Sequence, residues 1–410
     1  MQQPHDVLVV GGGLVGASLA IALDRAGVDV GLVEATPAGA LPPVFDQRNL
    51  SFAEATVNAL RALGVLQLLR RPGAPIRRIH VSRRGDFGRV RLEAAGYGRT
   101  EFGQVVVARD FGEALEARLA GCTRVRRYRP ARFLALADAD AGDARAIRVA
   151  SDGAGEQVLA GRLLVAADGS RSALRAALGI AAAEHDYRQT LFVARVRLGR
   201  AAPGSAWERF GRDGPSALLP RADGHHGAVH AVPAAEAGAV AALDDPAWLA
   251  RLQQVFGWRA GRFLESGPRS AYPALRLIAA TSTAPRAVLV GNAAQTLHPI
   301  GAQGFNLGLR DALTLAELIA DARAGAPDAD CGAPRLLDAY VRRRRDDRER
   351  TLAFSHGLAT LTASAGPLAG ALRSLGLLAA DRQPDLQGWL VGGAMGYRGQ
   401  VPALCRGGPA

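Results

Sequence analysis

Near its N-terminus the chain changes apolar period twice. Asp6–Val10 reads D-V-L-V-V, a near-continuous apolar run that stops at Gly11-Gly12-Gly13. From Leu14 to Ala26 the apolar residues follow a helical repeat that closes at Gly27, and Val28–Val33 returns to a strand pattern ending on Glu34. A strand, a glycine turn, a helix and a strand in so short a stretch predict a βαβ unit. Two later runs have the same character. Gly161–Ala167 delivers Asp168-Gly169, and Ala287–Val290 delivers Gly291-Asn292, followed by a loop and a helix from about Phe305 to Ala320. Strands of a parallel sheet are covered on both faces, so uninterrupted apolar runs are expected of them. Strands that each end in a glycine-bearing turn predict a ligand crevice beyond their carboxyl ends.

Between these runs, residues 73–100 and 181–270 alternate over shorter stretches, as in Ile79-His80-Val81-Ser82 and Phe192-Val193-Ala194-Arg195-Val196. They predict antiparallel strands of a second domain inserted twice into the first. The first domain then comprises 1–72 with 101–180 and 271–335, the second 73–100 with 181–270, and a helical region covers 336–410. Within that tail the charged run Arg342–Arg350 reads as a solvated helix face with i,i+4 ion pairs. Leu352–Met395 is rich in Leu, Ala and Gly with few charges. Two readings stand for it: packing as helices against the first domain, and docking on a membrane or a partner enzyme.

Composition narrows the function classes. The 410 residues suffice for two or three domains. The formal charge is +12, yet all 50 basic residues are arginine and none is lysine. Such complete replacement points to coding bias more than to a selected basic patch, and aromatics at 5% leave few platforms for stacking bases. Nucleic acid is not an expected partner, whereas a weak attraction to acidic lipid is compatible with the charge. Without lysine, neither a Walker-type phosphate loop nor Schiff-base chemistry is available. Cys122, Cys331 and Cys405 are too few and too scattered for a disulfide framework or a zinc cluster, so a reducing cytoplasm is expected. The pair His225-His226 sits in a polar turn without a nearby cysteine, and no metal is expected there. No cleavable leader and no uncharged apolar run of about 18 residues are visible.

Candidate chemistry begins at Gly11-x-Gly13-x-x-Gly16. In that pattern Gly11 allows the tight turn, Gly13 lets the backbone approach a diphosphate, and Gly16 lets the helix pack on the strand. The diphosphate then meets the positive end of the helix dipole, and Glu34 can accept hydrogen bonds from a ribose. This fingerprint does not distinguish NAD from FAD.

The later segments do. Leu164-Val165-Ala166-Ala167-Asp168-Gly169-Ser170-Arg171-Ser172 resembles the Asp-Gly motif of flavoprotein hydroxylases, and Gly291-Asn292-Ala293-Ala294-Gln295-Thr296-Leu297-His298-Pro299 resembles their Gly-Asp motif. From Arg269-Ser270-Ala271-Tyr272-Pro273 to Gln303-Gly304-Phe305-Asn306-Leu307-Gly308 the chain is similar to the ubiquinone-biosynthesis hydroxylases, flavoprotein monooxygenases of the para-hydroxybenzoate-hydroxylase type. Phe45-Asp46-x-Arg48, Gly103-Gln104-Val105-Val106 and Phe256-Gly257-Trp258-Arg259 extend the likeness over essentially the whole chain. It is strongest to the subgroup acting on 2-polyprenyl-6-methoxyphenols.

The resemblance implies an α/β fold, with a Rossmann-like FAD-binding domain, an inserted antiparallel substrate domain and a helical C-terminal tail. It implies FAD as cofactor, NAD(P)H as reductant, and transfer of one oxygen atom from O2, through a flavin hydroperoxide, to the ring of a polyprenylated phenol. Arg48 and Gln104 would lie along the FAD phosphates, Asp168 and Gly169 at the flavin region, and Asn292 at the ribityl hydroxyls. Pro299 and Gly304 would border the flavin, with Phe305 and Asn306 capping its pyrimidine edge through backbone N–H groups. A lipid-tailed substrate further implies a peripheral contact with the inner membrane, or a place in a ubiquinone-biosynthesis enzyme complex. Two positions depart from the pattern: Asn292 stands where the broader family has Asp, and Gly301-Ala302 where the subgroup has Ala-Gly. The latter places a methyl group beside the flavin ring. No second glycine fingerprint is present for the nicotinamide.

The catalytic base stays open. His298 can deprotonate a phenol or serve as a structural histidine in a tight turn. Tyr272 can point to the substrate or pack within a strand. Alternatives to the phenol hydroxylase are an FAD-dependent hydroxylase or reductase acting on another aromatic or lipid compound, and a flavin-binding scaffold without turnover.

Overall fold

A computed structural model describes residues 3–138, 142–151, 155–200, 202–363 and 367–407. The apolar runs of the sequence become neighbouring strands. Ala287–Leu289, Gly155–Ala166, His5–Val10, Val30–Val33 and Val125–Tyr128 lie side by side in that order, all parallel. Val9 faces Val165 on one side and Leu32 on the other. Alternation sends Val7, Val9 and Val165 to one face and Leu8, Val10 and Leu164 to the other, and each face is dry. On the first face lie the helices Leu14–Arg25, Ala108–Ala120 and Gln303–Gly325. On the second, Arg132–Ala137 and Arg145–Ser151 fold back as an antiparallel meander on the first half of Gly155–Ala166.

A second, mostly antiparallel sheet runs in the order Gln295–Thr296, Ser270–Ala279, Ala182–Leu198, His226–Pro233, Pro215–Pro220, Ser205–Phe210, Arg78–Arg83, Arg89–Glu93. Only Ser205–Phe210 and Arg78–Arg83 pair in parallel, which joins the two inserted segments in one sheet. Helix Asp245–Phe256 covers one face through Trp248 and Leu252, packed on Phe192 and Val196. The strand Ser270–Ala279 belongs here, although the sequence pattern suggested that the second domain ends at 270. The 17-residue strand Ala182–Leu198 needs a long partner, and its register with Ser270–Ala279 runs from Ala182↔Ala279 to Val193↔Ser270.

The tail departs from expectation as well. Pro334–Ala363 packs on Gln303–Gly325 of the first domain, Pro367–Arg382 lies on strand Arg89–Glu93 of the second sheet, and Pro384–Ala394 ends between the two, Met395 O accepting from Ala55 N–H at 3.0 Å. Arg91 N–H donates to Asp381 Oδ1 (2.8 Å), and Val391 and Met395 pack with Val90 and Leu92. Among the described residues no helix is long and apolar enough to cross a membrane.

The charged run is not simply a solvated face. Arg344, Asp347, Thr351 and Ser355 are all buried on one side of the helix. Arg310 forks onto Asp347 with Nε–Oδ2 2.7 Å and Nη2–Oδ1 3.0 Å, and Arg344 reaches Asp311 (2.7 Å) and Asp347 (2.8 Å). Asp311 Oδ2 in turn accepts from Gln295 Nε2 at 2.6 Å and from Gly291 N–H at 3.4 Å. Burial works against the Asp347 charge, but Arg310 and Arg344 outweigh it and hold the carboxyl below its ordinary range. Breaking a buried pair strands the remaining charge. Asp347→Ala is therefore expected to lower the unfolding free energy by about 3–5 kcal/mol, measured by chemical denaturation. A loss near zero would show that solvent relaxes around the arginines.

Candidate active site

Three turns meet at the carboxyl ends of the parallel strands. Gly11 has φ +106°, and a Cβ there would lie 2.5 Å from Ala167 O and 2.8 Å from Asp168 Cα. Only glycine allows that approach, so the first turn is pressed against the Asp168-Gly169 turn. A Cβ on Gly16 would sit 1.9 Å from Gly11 O, which locks helix Leu14–Arg25 onto its own strand. A Cβ on Gly308 would lie 2.8 Å from Gly291 Cα and 3.0 Å from Val15 Cγ2, bringing the third turn against the same helix. Gly13 differs: nothing lies nearer to its Cβ position than Val44 Cγ1 at 3.7 Å.

The helix that Gly13 caps has no side-chain cap and no acidic residue in its first turn, which leaves the positive end of its dipole available to an anion. Glu34, ending the second strand, accepts from Gly12 N–H (2.8 Å) and Thr36 N–H (2.7 Å), which holds the carboxylate beside the turn. Asp168 Oδ2 accepts from Leu174 N–H at 3.1 Å, while its buried Oδ1 has no donor among the described residues. An orphan acceptor of this kind suits a sugar or ribityl hydroxyl. Asn292 is exposed in the one-turn helix Gly291–Ala293 beside it, its carbonyl accepting weakly from Thr296 Oγ1 at 3.4 Å. The uncrowded backbone at Gly13, the uncapped helix and the orphan oxygen together fit a dinucleotide.

Beyond Pro299 the chain takes two left-handed residues, Gly301 at φ +65° and Ala302 at φ +50°, before helix Gln303–Gly325 starts without a side-chain cap. The methyl group that distinguishes Ala302 from glycine thus sits on a strained backbone, at a cost of about 1–2 kcal/mol. Gly304 has no neighbour within 4 Å of its Cβ position. The Phe305 ring turns inward onto Phe52 and Phe111, each 5.4 Å away between centroids. Asn306 is buried and works with its side chain. It donates to Ser51 O (2.9 Å) and Ala302 O (2.7 Å) and accepts from Ala53 N–H (2.9 Å), tying the helix start to strand Asn49–Ala53.

Arg48 and Tyr272 are brought together through Asp46, a residue whose place in the F-D-x-R motif was visible but whose role was not. Arg48 Nε meets Asp46 Oδ1 at 2.8 Å, Tyr272 donates to Asp46 Oδ2 at 2.6 Å, and the Arg48 guanidinium lies 4.5 Å from the Tyr272 ring centre. Burial pushes against the Asp46 charge, yet the hydrogen bonds from Arg48 and Tyr272 hold it below the usual carboxylate range. For Tyr272, burial and the Asp46 hydrogen bond push the phenol upward, away from use as a base. Gln104 is apart from this group, its amide donating to Glu101 Oε1 at 2.8 Å. His298 is only 1% exposed. Its Nε2 meets Gln189 Oε1 at 3.1 Å, its Nδ1 accepts from Ile300 N–H at 3.3 Å, and its ring stands edge-on to Tyr187. Burial pushes His298 down to about 4, so the ring is neutral near pH 7 with both nitrogens engaged.

The two kinds of glycine separate binding from folding. Gly13→Ala is expected to leave the thermal midpoint of cofactor-free protein unchanged and to reduce FAD retention at least ten-fold, read from the flavin absorbance after gel filtration. Gly16→Ala should instead destabilise the protein itself. A Gly13→Ala protein that stays fully yellow would remove the diphosphate from this turn.

Comparison with known proteins follows the same geometry. A family model described as FAD binding domain matches residues 4–355. Ubiquinone hydroxylase UbiL of Rhodospirillum rubrum is 34% identical over 98% of this chain and 93% of its own length. The 3-demethoxyubiquinol 3-hydroxylase of Escherichia coli is 29% identical over 93% of this chain and 95% of its own. Among solved structures, p-nitrophenol 4-monooxygenase PnpA from Pseudomonas putida superposes with a TM-score of 0.78 at 19% identity, covering 98% of this chain and 100% of that one. That likeness establishes the fold, and the family match carries the cofactor. The chain belongs to the FAD binding domain family of flavin-dependent monooxygenases, and its cofactor is FAD.

Proposed function

We propose that this chain hydroxylates the aromatic ring of a polyprenylated phenol of the 2-polyprenyl-6-methoxyphenol type in ubiquinone biosynthesis, with NAD(P)H as reductant and O2 as oxygen donor. The observation that carries the reading is similarity over 98% of the chain to a protein named ubiquinone hydroxylase. Bound FAD supplies the activation of O2 and the transfer of one oxygen atom. The protein's part is to bind, orient and exclude water.

Gly11, Gly13 and Gly16 receive the diphosphate at the helix start, and Glu34 accepts from the adenosine ribose. Asp168 offers its unpaired Oδ1 to a hydroxyl, with Gly169 and Asn292 beside it. The uncapped first turn at Gly304, Phe305 and Asn306 would hold the flavin ring's pyrimidine edge and stabilise negative charge there. Asp46 keeps Arg48 over Tyr272, so the guanidinium is held against the second sheet. Gln104 gives one amide hydrogen to Glu101 and keeps the other for a phosphate oxygen. The membrane or a partner enzyme provides access to the lipid tail, with the helices Pro367–Arg382 and Pro384–Ala394 nearest the second sheet.

An absorption spectrum of the purified protein, followed by anaerobic NADPH addition with and without a prenylated methoxyphenol, tests this reading. Flavin bands that bleach at least ten-fold faster with the phenol present, and a hydroxylated ring on admitting O2, are the expected result. Bleaching that ignores the phenol would overturn it in favour of a reductase or another substrate.

A further inference from the structure

The second sheet has a covered face and an uncovered one. On strand Ser205–Phe210, Trp207 and Arg209 point to the side packed by helix Asp245–Phe256, Trp207 joining its cluster and Arg209 donating to Val255 O. Alternation puts Ala206, Glu208 and Phe210 on the opposite side. That side faces the loop after Pro299 and the tail. Phe210 packs with Ile300, which follows Pro299, and with Ala359, while Ala206 packs with Val391 and Met395. Register extends the row through Glu208 across the sheet: Val81 on one side, then Ala217, Val229 and Val193 on the other. In the adjoining row Tyr272 stands opposite Leu191, with its hydroxyl on Asp46 beside Arg48.

Glu208 is therefore a carboxylate in an apolar row. Among the described residues it has no hydrogen-bond or ion-pair partner, a rare condition in a chain where arginine is so abundant. It is half-buried, on a face flanked by Phe210 with Ile300 and by Ala206 with Val391 and Met395. Val81, Ala217, Val229 and Val193 are likewise half-buried in the middle of a sheet. A carboxyl without a protein partner in an apolar row is free to be completed by a ligand's hydroxyl group.

We propose that Glu208 is the specificity-determining residue of this face, the group that recognises the ring hydroxyl of the phenolic substrate while the apolar row holds the ring and the start of its prenyl chain. The assignment rests on the proposed function. Burial pushes the Glu208 carboxyl up to about 8. Protonated, it donates to the ring oxygen and accepts through its other oxygen; ionised, it accepts the phenolic hydrogen bond. No arginine competes with the substrate for it.

The test uses FAD-loaded protein and two probes, a short-chain 2-prenyl-6-methoxyphenol and its O-methyl ether, with binding followed by perturbation of the oxidised flavin spectrum. Wild type should bind the phenol more tightly than the ether. Glu208→Leu should weaken the phenol about ten-fold or more and leave the ether within about two-fold, because only the phenol loses its partner. Glu208→Gln should fall between. The thermal midpoint of Glu208→Leu should hold or rise, since an unpaired carboxyl is removed from an apolar row. Equal weakening of both probes, no weakening of either, or a fall in stability would overturn the assignment and leave the proposed function standing. A wild type indifferent to the phenol would overturn the proposed function, and Glu208 with it.

Discussion

Backbone touching backbone at glycine is the constraint on which the molecule depends. Gly16 against Gly11 and Gly308 against Gly291 bring helices from opposite ends of the chain onto the same strand ends. No larger residue fits either contact, and with a wider spacing the turns at Gly11, Asp168 and Gly291 would not share one crevice. The fully buried strands beneath, with Leu8, Val9, Leu164 and Val165 wholly dry, give those turns a rigid base. The crevice is thus built from close approach, and its chemistry is added by few side chains.

Charge is buried behind the crevice rather than in it. Arg310, Asp311, Arg344 and Asp347 neutralise one another between two long helices, and Asp311 passes the arrangement on to Gln295 and the Gly291 turn. The front of the site uses a smaller cluster of the same type, in which Asp46 fixes both Arg48 and Tyr272. Glu208 stays outside both arrangements, in a row of Val81, Ala217, Val229 and Val193. Carboxylates that each meet an arginine in two places make the unpaired one in the third informative.

The glycine turns were legible in the sequence because each is a local event: a short apolar run, a glycine and a change of period. The βαβ unit around Gly11 and Glu34, and the turns at Asp168 and Gly291, needed no knowledge of distant residues. The buried side of the charged helix did leave a trace. Arg344, Asp347, Thr351 and Ser355 recur at helical spacing, and that stripe is what packs inward. Yet a run of four arginines looks solvated whichever way it turns, since only Arg310 and Asp311 on another helix decide which one is enclosed. Asp46 is similar: its motif is visible, but its bond to Tyr272 spans most of the chain. The face that Glu208 occupies depends on a parallel pairing between the two inserted segments, which no local pattern announces.

Distance along the chain has a thermodynamic corollary. The crevice gathers residues near positions 11, 168 and 291, so no fragment of the chain holds a complete site. A ligand that binds only when all three turns are assembled binds the native state alone, and its free energy is added to that of folding by mass action. Cofactor supply and protein lifetime are consequently linked variables in the cell. A chain without flavin opens more readily than a loaded one, since it lacks the binding free energy that the native state alone collects.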